Sequence, residues 1–437
     1  MSDLLAARVQ MGATLGFHIV LACLGVGMPV LLLAAEALAI RRGDPVWRAL
    51  ARRWSKAFAV LFAVGAVSGT VLSFELGLLW PGFMGRYGAV IGLPFTLEGF
   101  AFFLEAIFVG IYLYGWDRLS PWAHWWCGVP VAVSGAASAW FVVTVNAWMN
   151  VPGGMREEAG VVLDVDPLRA MLGPAAAVQT THMILAAYIV SGFLVASVHA
   201  ARLLAGRDAV YHGRAMGLAL ALGAALVPFQ FLSGDRAAKV VAATQPVKLA
   251  AMEGQFRSQT HAPLRIGGLP DEASQTTRGA IEIPGALSWL AYGDAGAPVA
   301  GLDAVARDLW PPVAIVHVAF QAMLGAGGAL AALAAWAAAR WARRRPVRDS
   351  RSFLRAAVAA GPVSVLALEA GWVVTEVGRQ PWIVQGLMRT RDAVTASSGV
   401  LWVLLTTAAV YTLLVVATVS VLRHLERTPL PEQARGS

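Results

Sequence analysis

Several side chains able to do chemistry sit inside long apolar runs: His18, Glu98, Glu105, His182, Glu369 and Glu376, together with the thioether of Met323. An ionisable group in mid-bilayer costs roughly 2.5–3.5 kcal/mol on insertion scales, so each asks for a reason. Imidazole and thioether are axial ligands of haem iron. A His/Met pair closes both axial positions and suits electron transfer, whereas a histidine or carboxylate opposite an open position suits a small gas. Glu98 and Glu105 lie seven residues apart, about 700° of helix, which places them on one face about 10.5 Å apart along the axis. Such a pair could lead protons toward a metal layer. Ser138, Thr144 and Asn146 add hydroxyl and amide groups at similar depth.

The elements that must position these residues follow from composition. Of 437 residues, 58% are apolar and only 14% charged, with a mean hydropathy of +0.63, against about 25% charged in soluble proteins. A soluble multidomain enzyme is therefore excluded. Runs of about twenty apolar residues predict an all-α polytopic membrane protein with nine spans, near residues 12–40, 57–80, 93–115, 124–149, 174–200, 214–234, 311–340, 353–377 and 399–422. The net charge is +8, yet no basic-aromatic stripe suited to nucleic acid occurs. Most Lys and Arg residues, including Arg41, Arg42, Arg52, Arg53, Lys56 and Arg343–Arg345, fall in the loops after odd-numbered spans and in the C-terminal tail. The positive-inside rule then sets the N-terminus outside and the C-terminus in the cytoplasm. The first apolar run is too long for a cleaved signal peptide and reads as a retained span.

With that orientation, His18, Glu98, His182 and Met323 fall in the outer halves of inward-running spans, and Glu376 at the outer end of span eight. These five candidate ligands share one layer. Cys23 and Cys127 form no CxxC or CxxCH, which leaves no zinc site and no covalent haem attachment. The whole chain, 1–437, reads as a single membrane domain. Its one compositional break is the extracytoplasmic loop 235–309, longer than a connection requires.

At Gly378-Arg379-Gln380-Pro381-Trp382, preceded by Glu369-Ala-Gly-Trp372-Val-Val-Thr-Glu376, the chain resembles subunit I of the cytochrome bd quinol oxidases. The likeness extends through Leu97-Glu98-Gly-Phe-Ala-Phe-Phe-Leu-Glu105, Asn146-Ala-Trp-Met-Asn-Val-Pro-Gly153, Lys248-Leu-Ala-Ala-Met-Glu253 and Phe320-Gln-Ala-Met323, in family order. The resemblance implies a catalytic subunit in a bacterial plasma (inner) membrane that oxidises quinol and reduces dioxygen to water, separating charge without a pump. It implies three haems: a low-spin b (b558-like) on His182 and Met323, and a high-spin b (b595-like) and a haem d, or a third haem b, on His18 and Glu376, with Glu98 near them. Trp372 would lie among the haems. Glu105, Ser138 and Asn146 would form a proton path, and Lys248 and Glu253 would bind and oxidise quinol in the outer loop. The partners implied are a second membrane subunit (cytochrome bd subunit II), a small accessory single-span subunit, and the bilayer, with no nucleic acid.

The loop resembles the short quinol-loop class, and the strings around Glu98 and Glu376 resemble the cyanide-insensitive branch. The basic residue that some relatives carry two positions before the methionine ligand is Gln321 here. The residues alone admit two other classes. An ion or proton transporter would show paired broken helices in repeated halves, and the chain has no such repeat. A b-type cytochrome anchor for a soluble redox partner leaves His18 and Glu376 unexplained.

Overall fold

The computed structural model describes residues 3–397 and 399–428. Among these, nine helices are long and apolar enough to cross a membrane: α1 (Asp3–Arg42), α2 (Pro45–Leu79), α3 (Pro81–Gly115), α4 (Pro121–Asn150), α6 (Ala176–Leu204), α7 (Ala209–Thr244), α10 (Val313–Ala342), α11 (Arg351–Val377) and α13 (Val400–Arg427). Short helices α5 (Pro167–Met171), α8 (Pro246–Glu253), α9 (Ala286–Tyr292) and α12 (Thr390–Ala393) lie in the connections. Four antiparallel two-stranded ribbons join them there: β1 (Arg156–Glu158) with β2 (Val161–Leu163), β3 (Leu264–Ile266) with β6 (Ile281–Ile283), β4 (Leu269–Asp271) with β5 (Thr276–Arg278), and β7 (Trp382–Val384) with β8 (Met388–Arg389).

The helix starts carry the expected chemistry. Asp44, followed by Pro45 at the first helical position, accepts the Val46 N–H at 2.9 Å, and Asp208 accepts those of Val210 and Tyr211 at 3.1 and 2.9 Å. Both satisfy donors that the first turn leaves free. Pro29, Pro94, Pro130, Pro228 and Pro362 lie within long helices, where neighbouring helices can satisfy the freed carbonyls.

The helices run past the apolar segments read from hydropathy. α3 begins directly after Trp80, and α7 continues through Asp235, Arg236 and Lys239 to Thr244. Hydropathy detects the part of a helix that lipid would surround, not where its hydrogen bonds end; Lys239 pairs with Asp235 at 2.7 Å one turn back on the same helix. The segment between the sixth and seventh long helices is therefore 245–312 rather than 235–309.

α1 is central, touching α2, α4, α6, α7 and α13. A close approach joins α6 to α7 at Gly192, where a β-carbon would lie 2.6 Å from the Gly223 nitrogen; small residues let membrane helices meet this way. The main core packs Leu31, Leu50, Trp54 and Phe58 against Phe193, Met216 and Phe353. α11 packs on α6 and α10, and so brings span eight between the helices carrying His182 and Met323. Large apolar side chains such as Phe74, Leu78, Phe100 and Phe103 are exposed, a surface suited to lipid or a second membrane chain.

Candidate functional site

His18 projects from α1 toward α2. Its Nδ1 lies 3.0 Å from Ser68 Oγ, and the Ser68 hydroxyl donates its one hydrogen to the Gly65 carbonyl at 3.0 Å. Nδ1 must therefore be the donor, leaving the Nε2 lone pair bare, which is the tautomer a metal ligand requires. Opposite the ring stands Gly69, where a β-carbon would lie 3.0 Å from His18 Cε1.

The same device recurs at the other candidate ligands. His182 on α6 faces Gly234 of α7, where a β-carbon would lie 3.5 Å from Cε1, and its Nε2 is 3.0 Å from the Gln230 amide nitrogen. Met323 on α10 faces Gly371 of α11, where a β-carbon would come within 3.2 Å of the sulfur. In each case the residue of the neighbouring helix that faces the ligand atom is a glycine, with no side chain to fill the space. Trp372, the next residue on α11, packs with Ile19 and Cys23 of α1 and Ala187 and Val190 of α6. It thus stands between the helices of His18 and His182.

Glu376 is held from two sides. Asn146 of α4 donates to its Oε1, and Arg379 donates to Oε2 at 2.5 Å. The chain continues through Asn150, whose amide donates to the Asn146 carbonyl at 2.9 Å, to Lys248, whose Nζ donates to Asn150 Oδ1 at 2.6 Å. Arg379 is 3% exposed, and its Nε and Nη1 have no acceptor among the described residues. A buried guanidinium with spare donors is costly unless an anion meets it. Haem propionates are such anions, and with the bare His18 nitrogen and the glycines opposite the ligands, the residues present fit haem. Among the described residues no three His, Cys, Asp or Glu side chains cluster as a metal-ion site.

On the seam between α3 and α4, Ser138 donates to Glu98 at 3.2 Å, and Glu105 lies against Gly135, where a β-carbon would sit 3.0 Å from its Oε1. The seven-residue spacing does put both carboxylates on the α4 side. Asn146, grouped with Glu105 and Ser138 by the resemblance, instead bonds Glu376.

Lys248 and Glu253 occupy the short helix α8 outside the long spans. Five residues are about 500° of helix, so the two side chains diverge by about 140°. Lys248 faces Asn150 and Gln245, whereas Glu253 is buried near Arg265 with Oε2 unpartnered among the described residues. Burial pushes the Glu253 carboxyl up to about 7, against the pull of Arg265. Burial likewise pushes the Lys248 ammonium down to about 7, helped by Arg379 and opposed by Glu376.

Other buried polar groups escaped sequence reasoning. Glu36 of α1 accepts from Tyr112 at 2.6 Å and lies 2.6 Å from His124 Nδ1; the signal was available, since Tyr112 continues the series Glu98, Glu105 by another seven residues. Glu75 accepts from Gln10 and Thr14 at 2.8 and 2.9 Å. Nothing in the spacing of those residues pairs α1 with α2 in that register.

The model of the family described as Cytochrome bd terminal oxidase subunit I matches residues 6–429. The chain belongs to this family. A Bacillus subtilis (strain 168) protein provisionally named a cytochrome bd menaquinol oxidase subunit I is 40% identical over 98% of this chain and 97% of its own. A second protein of that organism, a cytochrome bd ubiquinol oxidase subunit 1, is 31% identical over 90% and 86%. The solved bd oxidase from Geobacillus thermodenitrificans superposes with a TM-score of 0.92 at 39% identity, covering 98% of this chain and 99% of that one. As a cytochrome bd subunit I, the chain is a multi-pass membrane protein and a haem-bearing component of a terminal oxidase. Subunit I implies a subunit II beside it.

Proposed function

We propose that this chain is the catalytic subunit of a bd-type quinol:dioxygen oxidoreductase of a bacterial plasma membrane. It oxidises quinol at the outer side and reduces dioxygen to water with cytoplasmic protons. The observation that carries the reading is the set of prepared ligands: a histidine fixed with Nε2 bare, each candidate His or Met facing a glycine, and a buried arginine with two spare donors beside Glu376. His182 and Met323 hold the low-spin b haem. His18 and Glu376 hold one each of the two high-spin haems, b and d or a second high-spin b, with Glu98 nearby. When bound, these groups supply electron relay and oxygen reduction.

The protein's own residues do the rest. Glu253, poised near neutrality, accepts a proton from the quinol hydroxyl. Lys248, on the same two-turn helix, joins the quinol segment through Asn150 and Asn146 to Glu376. Glu105, with Glu98 and Ser138, passes protons inward from the cytoplasmic side, and Asn146 orients the Glu376 carboxylate. Quinol protons leave outside while oxygen chemistry draws protons from within, so a proton motive force arises without a pump. The basic loops support an outer N-terminus and a cytoplasmic C-terminus. The 437 residues act as one membrane domain whose outer quinol segment follows α7. The exposed apolar faces suit subunit II and a small single-span accessory subunit.

The test is a reduced-minus-oxidised spectrum of the purified complex together with oxygen uptake driven by quinol. His18→Ala is expected to remove one high-spin signal and abolish uptake; an unchanged spectrum would refute the ligand assignment. A far-red chlorin band would identify haem d, and its absence a third haem b.

A further inference from the structure

The segment that follows Glu253 is gripped by one face of α10. Glu253 ends α8, and Gly254 turns the chain at φ +61°, where a β-carbon would lie 2.5 Å from Thr277 Oγ1. The chain then runs through β3 and returns across α10 at Gly267. His317 Nδ1 lies 2.8 Å from the Met252 carbonyl oxygen and its Nε2 3.0 Å from the Gly267 carbonyl oxygen. One turn later, Gln321 accepts the Gly267 N–H at 3.0 Å and donates to the Arg265 carbonyl at 2.9 Å. Thr277 closes the set by donating to the Gly254 carbonyl at 2.8 Å.

Backbone carbonyls only accept, so the His317 ring stands between two acceptors, one from each end of the segment it bridges. It is fully buried. The carbonyls on both sides of Glu253, those of Met252 and Gly254, face His317 and Thr277, while among the described residues its own Oε2 has no partner. An unsatisfied buried acceptor on a segment whose neighbouring carbonyls are paired marks the atom kept for a ligand.

We propose that His317 and Gln321 form a clamp that fixes the position of Glu253 for quinol oxidation, and that both are positioning residues for that reaction. The proposal rests on the reading that Glu253 accepts the quinol proton. Gln321 lies two residues before Met323, so one stretch of α10 carries both the clamp and the candidate low-spin haem ligand. The span from the proton acceptor to that haem is then set by one rigid helix. An amide suits position 321 because it accepts and donates at once, which Lys or Arg cannot do.

The experiment compares His317→Phe, His317→Gln and Gln321→Ala in the purified two-subunit complex. Reduced ubiquinone-1 and reduced menadione serve as donors. Three readouts are taken: kcat and KM, the low-spin haem spectrum, and amide exchange by mass spectrometry over residues 250–270. His317→Phe is expected to lower kcat/KM at least tenfold for both donors and to speed exchange in that segment alone, with the haem spectrum unchanged. His317→Gln, which can donate to one carbonyl, should recover part of the loss. Pairing His317→Phe with Gln321→Ala should cost less than the product of the single effects, because both grip Gly267.

Wild-type kcat/KM and exchange in variants that keep the haem spectrum would overturn the clamp. So would faster exchange spread equally over α6 and α7, which would mark a general loss of stability. Should His317→Phe fail to assemble, His317→Gln and Gln321→Ala make the same comparison. Glu253→Gln is assayed alongside: wild-type quinol turnover there would refute the acceptor assignment, while the exchange readout still judges the clamp.

Discussion

The pH dependence of quinol oxidation tests the outer site most directly. Burial raises the Glu253 carboxyl from 4.5 to about 7, a differential of about 3 kcal/mol at 1.36 kcal/mol per unit. The base must be ionised to take the quinol proton, so kcat/KM should climb with pH and level off above 7. Burial lowers the Lys248 ammonium from 10.5 to about 7, so its charge is lost over the same interval. If turnover needs both the carboxylate and the ammonium, the profile is a bell centred near 7, at whose peak about a quarter of the molecules hold both forms. If it needs only Glu253, the profile is a single rising limb. The assay is steady-state oxygen uptake with reduced ubiquinone-1 from pH 5.5 to 8.5, in wild type, Glu253→Gln and Lys248→Met. Glu253→Gln should abolish the rising limb, and Lys248→Met should convert a bell into a plateau. A flat wild-type profile, or a rising limb that survives Glu253→Gln, would refute the reasoning.

Linkage adds a second readout. The folded state binds the Glu253 proton more tightly than the unfolded state. Its contribution to stability is therefore complete below about 4.5 and lost as pH rises through about 7, and exchange in α8 should quicken over that range. Met323→Leu should eliminate the low-spin b signal and leave the high-spin signals, with an unchanged spectrum moving that ligand elsewhere. Gly371→Val should push the Met323 sulfur out of place and weaken the same signal, whereas Gly12→Ala, with nothing within 4 Å of the added carbon, should leave it intact; equal spectra in the two would remove the glycine argument. Asp208→Ala withdraws the cap of α7 and should cost about 1 kcal/mol, seen as a lower Tm with unaltered haem spectra. An unchanged Tm would show that this cap contributes nothing.

How far the site was legible depended on whether a residue's partner lay on its own helix or on another. Glu98 and Glu105 were assigned a common face from their spacing, and both do meet α4. The resemblance groups Asn146 with Glu105 and Ser138, and its bond to Glu376, 230 positions away in the chain, has no signal in spacing. Lys248 and Glu253 looked like one pair because they share a motif. Helical geometry alone would have separated them, and the structure turns Lys248 toward Asn150. His317 drew no notice because a lone histidine in an apolar run says nothing about two carbonyls from a loop 50 to 65 residues earlier.

The sequence by itself determined that the chain spans a bilayer in nine helices and that His18, Glu98, Glu105, His182, Met323 and Glu376 lie within or at the end of those spans. Those facts are local: lipid cannot hydrogen-bond the backbone, so each span must close its own bonds and show itself as an apolar run. Tertiary structure decided which nitrogen of His18 stays bare, which glycine faces each ligand, where Arg379 keeps two free donors, and which helix grips the segment after Glu253. These depend on how each helix is rotated about its axis. In lipid that rotation is set by the fit of small residues between helices, such as Gly192 against Gly223, and it leaves no trace in hydropathy.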